Sequence, residues 1–363
     1  MKRLMVLMAA VFTVFALCAC GGGSGGGSDH AAADIVVPPS VEVPDDTAPY
    51  VLSTIPEING TAGINSAITV TFNEPINPAT ITLNSILLDD ADGIPVDGAV
   101  AYDAASRTAT FHPDADLVPE ENYKATVTTA IEDLAGIAME KEYSWEFTTG
   151  NADTTPPEIS SRFPAKDANS VALNTVIAVT FSEPIDLSTL NTQTLTLNGT
   201  ALVDGTVEYV GTTALFKPAA NLMPNTVYTV SVAETIEDLA GNALGAPEEW
   251  EFTTGTQADL VAPQALSVYP QSGAINVPTD SVLEVEFDEA IMPFEFGIID
   301  DRPVTVTFNE NYTIATLMPT DGLGGRKIYT AQIKVADMAG NFMDEIYAWR
   351  FATDSAELST TEN

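Results

Sequence analysis

One short segment occurs three times in this chain, and it constrains the fold more than any other feature. It reads ITVTFNEP at residues 68–75, IAVTFSEP at 177–184 and LEVEFDEA at 283–290. Within each copy, apolar side chains fall on alternate residues: Ile68, Val70 and Phe72, then Ile177, Val179 and Phe181, then Leu283, Val285 and Phe287. A period of two is the signature of a β-strand with one buried face. Three aligned strands at similar separation mean three copies of one β-domain rather than one large fold.

Further strands align on the same frame. ATFHP, ALFKP and ATLMP, beginning at Ala109, Ala214 and Ala315, each end on a proline, which cannot donate to a central ladder. Another strand starts at Tyr123, Tyr228 and Tyr329, with Val127, Val232 and Ile333 four residues on. The last strand carries Trp145 and Phe147, Trp250 and Phe252, or Trp349 and Phe351, so all three tryptophans occupy one equivalent position and read as core. Short strands, regular turn residues and the lack of a long amphipathic helix predict an all-β protein of three tandem immunoglobulin-like β-sandwich domains, with boundaries at 45–150, 151–255 and 256–354 and a disordered tail at 355–363. At about 100 residues each, such domains can hold together by core burial alone.

The repeated scheme combines an Asp ahead of a proline at the start, V-x-F-x-E-P early on, D-L-A-G-N late and W-x-F-T-T at the finish. It resembles the bacterial Ig-like domain of the S-layer (SbsA) type over residues 45–353. Ile137 departs from it where Asn242 and Asn341 stand in the other copies, and Ala290 departs from it where Pro75 and Pro184 stand. The resemblance implies an extracytoplasmic spacer or accessory module of the kind found in surface layers, adhesins and secreted enzymes, without naming a ligand.

The first 19 residues read as a signal peptide. Lys2 and Arg3 precede an apolar run at residues 4–17 that is shorter than the roughly 20 residues needed to span a bilayer. Leu17-Cys18-Ala19-Cys20 resembles the lipobox of bacterial lipoproteins, with Cys20 as the lipidated residue. Gly/Ser-rich chain follows, and residues 20–44 are expected to form a flexible tether with a reach of about 25–30 Å. The resulting expectation is a lipid anchor in the bacterial cell envelope, at the outer membrane or cell surface. The formal net charge is −38, and loss of Lys2 and Arg3 with the signal takes it to −40. Such a surface cannot replace phosphate counterions, so nucleic acid is excluded as a partner. A cell-surface glycan or protein remains the expected class, with Tyr102, Tyr209, Tyr269, Phe294 and Phe296 the aromatics left for exposed contacts, each read first as packing.

Catalysis is not expected. The chain has two histidines, His30 in the tether and His112 at a strand end, too few for a Ser-His-Asp or Cys-His constellation or a histidine-rich zinc site. Glycines 322–325 fall in a strand-to-strand turn and not in a phosphate loop. A carboxylate-based hydrolase is the remote alternative, but the prominent acids recur in all three copies, and recurrence favours a structural or metal role.

Those acids suggest divalent cations, Ca²⁺ foremost. Antiparallel alternation carries the Glu74, Glu183 and Glu289 strand ends, the Asp133, Asp238 and Asp337 turns, and the leading Asp46, Asp153 and Asp259 to one pole of each sandwich. Three carboxylates from three segments suit a cation that takes six to eight oxygens. The competing reading is turn formation by Asp and strand termination by Glu-Pro.

Overall fold

The computed structural model describes residues 47–293, 298–299, 304–319 and 322–353. The signal peptide, Cys20, the tether, Asp46, Phe294, Phe296 and the tail lie outside the described residues. Among the described residues no helix is long and apolar enough to cross a membrane.

Each repeat is a sandwich of two sheets, and the second shows the plan in full. One sheet runs Gly205–Val210, Thr213–Pro218, Ile177–Phe181 and Ile159–Phe163, all antiparallel. The facing sheet runs Ala168–Val171, Glu248–Thr254, Val227–Val232 and Leu195–Asn198, with the first pair parallel. The first domain repeats this order strand for strand. In the third, a single parallel bridge from Val277 to Thr353 replaces the short parallel pair.

The cores repeat as well. Trp145, Trp250 and Trp349 are each 2% exposed, and Tyr123, Tyr228 and Tyr329 stack on Phe147, Phe252 and Phe351 with centroids 5.9, 5.7 and 5.5 Å apart. The indole of Trp250 donates to the Pro164 carbonyl at 2.9 Å, whereas those of Trp145 and Trp349 have no partner. Tyr102 and Tyr209 are packing residues: their hydroxyls accept the backbone N–H of Ile76 and Ile185 at 2.9 and 3.1 Å. Tyr269 is half exposed.

The strand that revealed the repeat departs from its expected single buried face. Leu283–Phe287 alternates buried and exposed, but Ile68–Phe72 is buried at every residue and Ile177–Phe181 at all but Thr180. The reason is the neighbour. The outer face of this sheet in the first domain lies against the second domain, and that of the second against the third. Thr69, Thr71, Ala178 and Thr180 tolerate being covered. Glu284 and Glu286, at the matching positions of the third domain, are exposed.

Candidate functional site

The pole where the second and the third domain each meet the one before collects the recurrent acids. Asp238 sits in the turn between the last two strands and is 2% exposed. Its Oδ1 accepts the backbone N–H of Ala240 and Asn242 at 2.8 and 2.9 Å, and its Oδ2 accepts from Asn242 Nδ2 at 2.8 Å. Asp337 repeats this with Ala339 and Asn341, at 2.8, 2.8 and 2.7 Å. The turn-forming reading of these residues therefore holds. It does not use up the carboxylates, whose oxygens keep further lone pairs.

Around each Asp the other two acids converge as their chain positions imply. One ligand atom from each of Asp153, Glu183 and Asp238 lies within 4.8 Å of the others, and the same is true of Asp259, Glu289 and Asp337. Partial burial, with Asp238 and Asp153 beside it, pushes the Glu183 carboxyl up to about 7. Burial, Asp337 and Asp259 do the same to Glu289. Oxygens spaced up to 4.8 Å can sit on opposite sides of a cation that binds oxygen at about 2.4 Å, so the donor set and its spread fit Ca²⁺. Among the described residues, the ion pairs Arg162–Glu248 and Lys217–Glu208 lie on strands away from these clusters.

The first copy differs. Asp133 is 1% exposed and its Oδ1 accepts from Ala135 and Ile137, but its Oδ2 has no partner because Ile137 stands where the other copies have asparagine. Glu74 Oε1 accepts from Asn73 at 3.1 Å, and Asp46 lies outside the described residues.

Sequence reasoning missed the residue that joins the domains. Asn65 reaches from the first domain to the second: its Nδ2 donates to the carbonyls of Asp153 and Ala240 at 2.9 and 3.2 Å, and its Oδ1 accepts the Asp153 N–H at 2.8 Å. Asn174 holds Asp259 and Ala339 identically, at 2.9, 3.3 and 2.8 Å. A backbone bond accompanies each clamp, Ala67 N–H to Leu239 and Val176 N–H to Met338, both 2.7 Å. The signal was an asparagine three residues before the first aligned strand in two copies, replaced in the third by Asp280.

No curated protein matches the chain significantly. Among solved structures it is similar to CopC from Methylosinus trichosporium OB3b (17% identity, 30% of this chain and 98% of that one, TM-score 0.24). It is similar also to the N-terminal part of the bacterial S-layer protein SbsC, of whose length it spans less than half (15% identity, 57% of this chain and 44% of that one, TM-score 0.25). A third likeness is to the titin I-band fragment I67–I69 (12% identity, 85% of this chain and 98% of that one, TM-score 0.19). The model of the bacterial Ig-like domain matches three times, at residues 45–149, 153–254 and 259–353. With most of its length matched in three tandem copies, this chain belongs to the bacterial Ig-like domain family.

Proposed function

We propose that the chain is a non-enzymatic, lipid-anchored spacer of the bacterial cell envelope, in which fixed joints hold successive Ig-like domains in a set orientation. The observation that carries this reading is the asparagine clamp, which is built twice with matching partners. A clamp made of both backbone and side-chain bonds opposes free rotation about the linker, as a spacer needs. Deleting residues 151–255 tests it: the third domain should move closer to the membrane by the length of one domain, with cell association intact. Unchanged reach overturns the spacer role. Cys20→Ser should release the chain from the membrane fraction, and continued membrane association would overturn the anchor. Acyl burial at about 0.8 kcal/mol per CH₂ supplies the attachment.

The convergent carboxylates favour a second element of the same reading, in which a divalent cation, Ca²⁺ foremost, stiffens the joints. Asp153, Glu183 and Asp238 would hold it at one joint, and Asp259, Glu289 and Asp337 at the other. Each cation would replace like-charge repulsion with attraction. Millimolar Ca²⁺ should raise the melting temperature above its value in EDTA, and Glu183→Gln should reduce the rise. A melting temperature indifferent to both additions overturns cation binding.

A further inference from the structure

Tyr312, the residue that fills the second joint, has no counterpart in the first. It is fully buried although it belongs to a hairpin turn of the third domain. Its hydroxyl lies 2.7 Å from Thr180 Oγ1 and accepts from Ser161 Oγ at 3.1 Å, and its ring meets Phe163 edge-on with centroids 6.4 Å apart. The second domain thus offers a socket for a phenol, with two hydroxyls for the polar tip and an apolar wall for the ring.

The first domain carries the same socket. Ser53 pairs with Thr71 as Ser161 pairs with Thr180, and Ile55 occupies the position of Phe163. Thr71 Oγ1 lies 2.9 Å from Thr108 Oγ1, as Thr180 lies 2.7 Å from Thr213. Thr108 spends its proton on the Ser106 carbonyl at 3.2 Å, so Thr71 donates to Thr108 and keeps a lone pair for an incoming O–H.

What differs is the plug. Phe181 N–H donates to the Thr212 carbonyl and Phe287 N–H to that of Thr313, which aligns the preceding residues, Gly211 and Tyr312. Two more residues, Glu310 and Asn311, lengthen the third domain's hairpin. Opposite the socket of the first domain there is consequently a hollow of about 70 Å³, walled by Ser53, Ile55, Thr71, Thr108, Tyr209 and Gly211. A larger one of about 200 Å³ shares Ile55, Pro184 and Leu239 with it. An apolar cavity of about 150 Å³ admits benzene, so a ring seated in the smaller hollow has to extend past Ile55 into the larger one, which Asp153 and Glu183 also line.

We propose that the joint between the first and second domains binds a phenolic ring from outside the chain, its hydroxyl on Ser53 and Thr71 and its ring against Ile55. Tyr312 supplies that group internally at the next joint. The class of ligand is a tyrosine-like p-hydroxyphenyl group.

Titration of the full-length chain with N-acetyl-tyrosinamide and with its phenylalanine counterpart, followed by calorimetry, tests the proposal. The tyrosine probe should bind saturably and the phenylalanine probe about tenfold more weakly, the difference expected for one lost hydrogen bond. Gly211→Tyr with Glu-Asn inserted ahead of it, which gives this hairpin the length and sequence of residues 310–312, should fill the socket from within and abolish binding. Gly211 has φ +61°, close to the 58° that Tyr312 holds with a side chain in place, and a Cβ there meets no atom within 4 Å. Thr71→Val keeps the side-chain shape and should weaken the tyrosine probe to the level of the phenylalanine one. Absence of saturable binding to the unaltered chain, equal affinity for the two probes, or binding that survives in the lengthened-hairpin variant would each overturn the proposal.

Discussion

The two joints share a polar clamp and an acidic triad and differ in the apolar packing around them. At the joint of the second and third domains, Val176, Ala178 and Leu215 meet Tyr312 and Met338 in a small apolar core of its own, with Phe163, Ala290 and Met292 at its rim. At the joint of the first and second, the aligned positions read Ala67, Thr69 and Thr110 on one side and Gly211 and Leu239 on the other, with Ile55, Pro184 and Asp186 around them. Met338 is 3% exposed there, whereas Leu239 keeps intermediate exposure here. Directional bonds therefore set how adjacent domains meet, and apolar burial sets how firmly they stay together. The first term is repeated along the chain and the second is not, so the second joint is the stiffer of the two.

Removing the plug should abolish most of that difference. Tyr312→Gly removes a fully buried ring and should cost about 3 kcal/mol of interdomain stability, so that the third domain melts separately in calorimetry. A single unchanged transition would mean that the clamp alone couples the domains. Next in size, Asn65→Asp turns a carboxylate towards the carbonyls of Asp153 and Ala240 and should cost about 2 kcal/mol. Proteolysis near residues 151–157 should accelerate more than proteolysis near residues 257–263 does in Asn174→Asp, where the apolar core still holds.

Smaller again is the effect of pH, and here the joints should agree. Glu183 and Glu289 each stand near 7 in the folded chain against an ordinary 4.5, so between those values the folded state binds more protons than the unfolded. The contribution of these two glutamates to stability in EDTA, read as the difference from Glu183→Gln with Glu289→Gln, should be greatest below pH 4.5, fall as pH rises towards 7 and level off above it. Added Ca²⁺ should flatten the profile by stabilising the ionised form. A profile that rises across this window would remove the carboxylate repulsion from the account. The smallest effect lies outside both joints: Ile137→Asn would give Asp133 Oδ2 the partner its counterparts have and should stabilise the first domain by about 1 kcal/mol in urea unfolding.

The strands were legible because alternation in Ile68–Phe72 and its counterparts reports burial inside one sandwich. The two acidic triads were legible for a related reason. Their chain positions fix which pole they occupy, and strand polarity alone brought Asp153, Glu183 and Asp238 together. The joints were not legible, since nothing periodic marks a face covered by another domain. Only in retrospect do neutral Thr69, Thr71, Ala178 and Thr180, set beside Glu284 and Glu286, distinguish a face that is covered from one that is wet. Tyr312 was hidden more deeply, because its place depends on a two-residue insertion in a turn and on a left-handed backbone at the tyrosine itself.

The charged outer face of the third domain also limits self-association. Modules with a donor face at one end and an acceptor face at the other form a heterologous contact, and unless such contacts close into a ring they propagate into filaments. Here the third domain offers Glu284, Glu286 and Asp280 where the first two offer hydroxyls, small apolar groups and a clamping amide. Docking the first domain of another molecule there would bury carboxylates against carbonyl oxygens and a second acidic pole, a desolvation cost with no compensating bond. The same acids that keep this face wet thus cap the stack and oppose head-to-tail growth into fibres.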